Sequence, residues 1–372
     1  MPRQPLVGPV APRLPPLSMP QGKAVLVSDS IVSIDSSEDE GPYVIRREGP
    51  APMKKARRLH KSVLKDKPSI PDFVRGMVKA FPIQKKEHLV SALKKLSELS
   101  ACPVDKGKAF TMTTACSGTE LAIYILELLL KAGAEEKLTD ELFSAISLWS
   151  CDKDGVCQRW IRQIMEGESI FLDVHSLGDS DAEGVGADGA ERQLSVDRGA
   201  VHIAGFSCKD VSMYNVTRSS HKSCILEGSG TTGGTFYGIA KYVFHHRPPF
   251  LIFENVKGLS GDNLLAVRLV LWLLGYRVVV LFLNSSHYGV AQSRSRVYFA
   301  AALSAERGRF TLDGADDSET DRLQREANSM AIALRQEEAP LTKYLQPMHH
   351  PLMVMHALER KSLVPRPDLR ER

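Results

Sequence analysis

Val201-His-Ile-Ala-Gly-Phe206 and Phe250-Leu-Ile-Phe-Glu254 are two apolar runs of strand length, and Thr235–His245 between them reads as a helix. A strand, a helix and a second strand in that order make a unit whose strands lie parallel in one sheet. Upstream the alternation continues. Phe110–Thr114, Ala145–Ser150 and Ser169–Val174 read as strands, and Leu121–Lys131 and Val156–Met165 as the helices between them. Downstream, a helix over Leu264–Leu274 ends at Gly275, and Arg277–Leu283 and Arg296–Leu303 are strands able to pair as a hairpin. Gly178–Gly199, rich in Gly, Asp and Glu, reads as surface loop. The expected fold is therefore α/β, a doubly wound, mostly parallel sheet. Ligands of such sheets bind at the carboxyl ends of the strands.

The 372 residues are unevenly composed. Residues 1–69 are rich in Pro, Ser and charge without a sustained apolar period, the signature of a disordered tail. Within it, Val25-Leu-Val-Ser-Asp-Ser-Ile-Val-Ser-Ile34 runs into Asp35-Ser-Ser-Glu-Asp-Glu40. This apolar strip with an acidic flank is similar to a SUMO-interaction motif, which adds a strand to a sheet edge; a chance apolar patch is the alternative. Met53-Lys-Lys-Ala-Arg-Arg-Leu-His-Lys61, with Lys65 and Lys67, is a basic cluster of the nuclear-localisation or phosphate-binding kind, against a merely solvated tail. The first of those readings places the chain in the nucleus.

Residues 70–105 carry apolar positions at helical spacing (Phe73, Met77, Phe81, then Leu89, Leu93, Leu96, Leu99) and read as a helical lead-in packed on a core over 106–304. Residues 305–372 read as a polar helix, Ser318–Glu337, followed by Pro-rich coil. The net charge of +4 is too mild to argue for nucleic acid alone. Six cysteines show no CxxC pair and no zinc-ligand spacing, so no metal site is expected, and reduced thiols inside a cell fit the composition. No apolar run reaches membrane length.

Chemistry-bearing residues collect at the expected strand ends. Thr114-Ala-Cys-Ser-Gly-Thr-Glu120 joins the first strand to its helix. A glycine turn there lets backbone approach a ligand, and the helix start favours its anionic part. Ser-Gly-Thr is also common in ordinary turns. The second strand ends at Asp152, placed to accept hydrogen bonds from ribose hydroxyls, and the third at Asp173, where a carboxylate can take an adenine amino group or simply cap a turn. The GxGxxG pattern of dinucleotide sites is absent. In the second half Cys208 follows the strand ending at Phe206, Glu254 ends the next strand, and Gln292-x-Arg294-x-Arg296 precedes the last.

In this order, from Phe110 to Ala302, the chain resembles the carbon-5 cytosine-specific DNA methyltransferase family, whose fold is Rossmann-like. The resemblance implies S-adenosylmethionine as cofactor, held by Ser117, Gly118, Thr119, Asp152 and Asp173. It implies Cys208 as the nucleophile that adds to carbon 6 of cytosine. Glu254 is then the carboxyl group at the base edge, Arg296 the arginine that contacts the base carbonyl and steadies Glu254, and Arg294 one held near the nucleophile loop. Val211–Gly234 is expected to be a flexible loop that closes over a flipped base.

Three departures stand out. Glu120 replaces a usual glycine, Phe206-Ser207-Cys208-Lys209 replaces Pro-Pro-Cys-Gln, and the target-recognition domain and last two motifs are not found. DNA is the implied substrate. An RNA-methylating relative and a catalytically silent nucleic-acid or chromatin module are the competing readings, the second favoured by the basic tail and opposed by the retained Cys208, Glu254 and Arg296.

Overall fold

The computed structural model describes residues 70–99, 109–118, 121–140, 142–165, 168–259, 261–304 and 318–338. The segments 25–40 and 53–67, Thr119, Glu120 and the Pro-rich coil after 338 lie outside the described residues.

Nine strands form one sheet in the order β5-β4-β3-β2-β1-β6-β7-β9-β8. Its centre is parallel: β1 (Ala109–Ala115) pairs with β2 (Ser144–Cys151) and β6 (Val201–Gly205), β2 with β3 (Ser169–Phe171), and β6 with β7 (Phe250–Val256). All seven β1 residues are buried, as a central parallel strand with both faces covered requires. β8 (Tyr276–Asn284) and β9 (Ser295–Leu303) form the expected hairpin, with β9 antiparallel to β7.

Helices cover both faces. Phe110, Met112 and Val201 pack with Leu93 of α2 (Lys86–Glu98) and with Ile123 and Leu130 of α3 (Leu121–Glu135). The opposite face sets Trp149, Phe171, Leu251 and Phe253 against Phe236, Ile239 and Val243 of α5 (Gly230–His246) and Val267 and Leu271 of α6 (Asp262–Leu273). α4 (Gly155–Ile164) links β2 to β3. α1 (Ile70–Lys79) packs Val74 and Val78 on Ala132 of α3, the lead-in contact expected from the sequence. α7 (Ser318–Ala333) docks on β8, where Arg277 meets Glu319 at 2.7 Å.

One expectation is corrected. Gly178–Gly199 is not a surface loop: β4 (Asp181–Val185) and β5 (Glu191–Ser195) form an antiparallel hairpin that extends the sheet beyond β3. Ala182, Gly184 and Val185 are buried. The glycines serve strand geometry here. A Cβ on Gly184 would approach the Ile170 carbonyl oxygen to 2.9 Å, and Gly189, with φ +82°, completes the turn.

From β1 the chain runs outward to β2 and β3; from β6 it runs the other way to β7. The switch between β1 and β6 opens a crevice at the strands' carboxyl ends. Ser117, Gly118, Asp152, Asp173, Cys208, Glu254 and Arg296 lie at or next to strand ends there.

Candidate active site

Cys208 is half-buried on the loop that leaves β6. That loop is held on both sides. Before the cysteine, Asn255 Nδ2, on a side chain only 1% exposed, donates to the carbonyl oxygens of Phe206 at 2.9 Å and Ser207 at 3.5 Å. The Cys208 carbonyl accepts from the Val211 and Ser212 amides at 3.2 and 2.9 Å. After the cysteine, the buried Asp210 accepts from the Thr232 amide at 2.6 Å, while the Asp210 amide donates to Thr232 Oγ1 at 3.1 Å. Lys209 beside the sulfur is exposed.

Glu254 faces Gly205 in the β6–β7 register, and Val256 faces Arg296 in the β7–β9 register. These pairings bring Arg296 Nε to 2.7 Å from Glu254 Oε1, with side chains 20% and 32% exposed. The second oxygen, Oε2, points past Gly205. A Cβ on Gly205 would sit 3.4 Å from Oε2 and 3.9 Å from the Cys116 carbonyl oxygen, so this glycine leaves room between Glu254 and the turn after β1. Burial first, then the Glu254 charge, pushes the Tyr298 phenol up, and Arg296 and Arg294 oppose the rise. Arg294 is exposed, yet its backbone is fixed: its amide donates to Asn284 Oδ1 at 2.9 Å, and Asn284 Nδ2 donates to Ser293 Oγ at 3.0 Å.

Across the crevice the β1 turn is locked onto the end of β2. The Gly118 amide donates to Asp152 Oδ2 at 2.9 Å, the Asp154 amide to Asp152 Oδ1 at 2.8 Å, and the Ser117 amide to the Cys151 carbonyl at 3.1 Å. Ser117 Oγ lies 2.6 Å from Thr114 Oγ1. Gly118 adopts φ +60°, and a Cβ there would meet nothing within 4 Å. Asp173 is exposed; its Oδ1 accepts from the His175 amide at 3.0 Å. Burial pushes the Cys116 thiol up to about 12 and raises Cys151 and Cys224, keeping these sulfurs as neutral thiols.

The structure thus sets Cys208, Glu254 and Arg296 at or just beyond the ends of three neighbouring strands, with Arg294 at the rim, and places Ser117, Gly118 and Asp152 together across the crevice. Sequence reasoning missed Asp210, Thr232 and Asn284. Asn284 at a strand end before two serines carries a turn signal, since an Asn side chain readily bonds the backbone two residues on. The expected mobility of Val211–Gly234 is also corrected for its second half. Asn263 accepts from the Ile225 amide at 2.8 Å and donates to the His221 carbonyl at 3.1 Å, and Cys224 and Ile225 are fully buried. The outward part is short: Met213, Tyr214 and Val216 are 71%, 88% and 96% exposed. Among the described residues no three His, Cys, Asp or Glu side chains are grouped to hold a metal, and no helix is long and apolar enough to cross a membrane.

A doubly wound sheet with a glycine turn after β1, an acid closing β2, and Cys, Glu and Arg at the strand ends is a Rossmann-like α/β architecture. Residues 188–349 match the family model of C-5 cytosine-specific DNA methylase. This region of the chain is similar to that family. The chain is 28% identical over 222 residues to DNA (cytosine-5-)-methyltransferase DMT5 of Cryptococcus neoformans, covering 59% of this chain and 9% of that protein. It is 35% identical over 109 residues to the type II methyltransferase M.BanI of Aneurinibacillus aneurinilyticus, covering 28% and 23%. The S. pombe Dnmt2 methyltransferase structure aligns over 55% of this chain and 53% of its own, at TM-score 0.34 and 17% identity. The chain spans less than a quarter of either of these two curated relatives.

Proposed function

We propose that this chain transfers a methyl group from S-adenosylmethionine to carbon 5 of cytosine in DNA through a covalent adduct on Cys208. The observation that carries the reading is the 2.7 Å Arg296–Glu254 pair, built by the same β7 end whose Asn255 holds the Cys208 loop. A carboxylate fixed by one oxygen, with the other left over Gly205, suits a ring whose exocyclic amino group donates to it as sulfur adds.

The cofactor end fits an adenosyl ligand. Gly118 leaves open space at the turn, the exposed Asp173 is free to accept from an adenine amino group, and each Asp152 oxygen, already holding one backbone N–H, keeps lone-pair capacity for ribose hydroxyls. S-adenosylmethionine held there supplies an electrophilic methyl group. Thr119, next in sequence, is the remaining cofactor-binding residue of this reading.

The protein's own part is ordered by chemistry. The Cys208 sulfur bonds carbon 6, and the displaced electron pair moves to carbon 5, making it nucleophilic. Glu254 hydrogen-bonds the ring edge, and Arg296 holds Glu254 and meets the base carbonyl, so charge developing on the ring meets preorganised partners. After methylation a base takes the carbon-5 proton, the freed electron pair re-forms the carbon 5–carbon 6 double bond, and the carbon–sulfur bond breaks to return the Cys208 thiolate. Arg294 steadies the rim next to the nucleophile loop.

The deciding experiment is a covalent trap on duplex DNA containing 5-fluorocytosine, resolved by denaturing gel. The intact chain with S-adenosylmethionine should give a slow-migrating adduct that Cys208→Ser abolishes. An adduct on RNA but not on DNA would reassign the substrate, and an adduct surviving in Cys208→Ser would remove Cys208 from the nucleophile role.

A further inference from the structure

We infer that Asp210 is a positioning residue for Cys208, fastening the cysteine loop to the amino end of α5. The assignment as a positioning residue rests on the proposed role of Cys208; the geometry stands on its own.

A helix leaves its first backbone N–H groups without partners, and a nearby side-chain oxygen normally accepts one. At α5 the residue in that place, Ser229, makes no cap; its hydroxyl turns to Glu227 at 3.1 Å. The cap comes instead from 22 residues upstream, from Asp210, two residues beyond the cysteine. Its carboxylate takes the Thr232 amide at 2.6 Å, and Thr232 Oγ1 returns a bond to the Asp210 amide at 3.1 Å, an exchange like a capping box between distant segments. Asp210 is 8% exposed and Thr232 0%, so neither bond is open to competing water. A buried carboxylate suits this place because the helix amino end carries partial positive charge. The fit is tight. Gly230 adopts φ +66°, and a Cβ there would stand 2.5 Å from Asp210 Oδ2.

A second tie closes the same loop: Asn215 Nδ2 donates to the Lys209 carbonyl at 2.8 Å and the Asp210 carbonyl at 3.4 Å. With Asn255 holding Phe206 and Ser207, the backbone is fixed on both sides of Cys208, and the side after it depends on Asp210. Without that cap the side after the cysteine keeps only the Asn215 tie and is freer to sample positions away from Glu254.

The test compares Asp210→Ala and Asp210→Asn with Asp154→Ala in the full chain. Asp154 caps α4 through the Val156 amide at 2.7 Å and has no bond to the cysteine loop, so it controls for loss of a helix cap. The first readout, the rate of Cys208 alkylation by iodoacetamide followed by mass spectrometry, needs no enzymatic activity. Asp210→Ala should raise it about threefold or more, Asp154→Ala should leave it near the parent rate, and Asp210→Asn, which can still accept the Thr232 amide, should restore most of the parent behaviour. The second readout is single-turnover methyl transfer, where Asp210→Ala should lower the maximal rate about tenfold with little change in half-saturating DNA. Equal alkylation in Asp210→Ala and parent, or an equal rise in Asp154→Ala, would overturn the inference. If the parent transfers no methyl group, the proposed activity fails while the alkylation comparison still decides the role of Asp210.

Discussion

The end of the crevice proposed to be catalytic and the end proposed to hold the cofactor lie on one sheet but are held by different kinds of bond. At the catalytic end strand register sets one side chain against another: Glu254 on β7 meets Arg296 on β9. At the cofactor end a side chain meets backbone: Asp152 accepts the amides of Gly118 and Asp154, and Ser117 ties to Cys151. A side-chain pair fails when either partner changes. A backbone-gripped turn keeps much of its shape, because the main-chain bond between Ser117 and Cys151 survives loss of the carboxylate. Substitutions at the first end should therefore strike the rate of transfer, and those at the second should strike cofactor affinity.

The largest effect is expected from Cys208→Ser, which should lower single-turnover methyl transfer by about 10³-fold or more and leave S-adenosylhomocysteine binding, measured by calorimetry, within about twofold. Next comes Glu254→Gln, which keeps the shape but weakens the Arg296 pair. Its maximal rate should fall about 10²-fold with unchanged cofactor affinity. Equal losses in both quantities would show that the two ends are not separable. Asp152→Ala should do the reverse, raising the cofactor dissociation constant about tenfold, the cost of about one hydrogen bond to a charged acceptor, with a smaller change in maximal rate.

Below the crevice lies a third polar group, sealed from both ends, that supplies a reference. His202 is fully buried, bonded to Thr113 Oγ1 at 2.9 Å and flanked by Tyr242 and Trp149. Burial lowers its pKa to about 3, and the nearby His246 charge opposes protonation further; Asp197 is the acid that acts on His246. The neutral ring favours the folded state above about pH 6.5, and that contribution is lost as pH falls from there toward 3, by about 1.4 kcal/mol per unit. Denaturant melts between pH 6.5 and 5 should show a shallower acid slope for His202→Gln, whereas Glu254→Gln should not share that change. The smallest effect concerns Glu168, whose carboxyl pKa burial raises although Ser147 and Ser150 bond to it. Glu168→Gln removes that desolvation cost and should raise thermal stability at pH 7 by about 0.5–1 kcal/mol, measured by calorimetry.

What the sequence disclosed divides along the same line. The strands β1, β2, β6 and β7 and their mostly parallel sheet follow from apolar runs such as Phe250–Phe253, and Cys208, Glu254 and Arg296 stand out because a strand end is a position that local pattern marks. Asp210 was invisible because its partner is an amide 22 residues away, and nothing local distinguishes a capping acid from a solvated one. The β4–β5 hairpin was misread because glycine content signals turns, whereas Gly184 is there to let two strands approach. The resemblance to a family supplied roles that spacing alone could not, above all for Ser117 and Asp173, whose residue types are ordinary in turns.

Gln324 of α7 has a consequence beyond catalysis. Its side chain accepts from the Val280 amide at 2.8 Å and donates to the Val280 carbonyl at 2.7 Å, occupying the outer edge of β8, the last strand of the sheet. One carboxamide thus stands in for the neighbouring strand that β8 lacks, and an uncovered edge is a template on which another chain can add. Helix α7 is in this sense a guard on solubility: Gln324→Ala should leave each molecule folded yet make concentrated solutions self-associate, a failure of company rather than of structure.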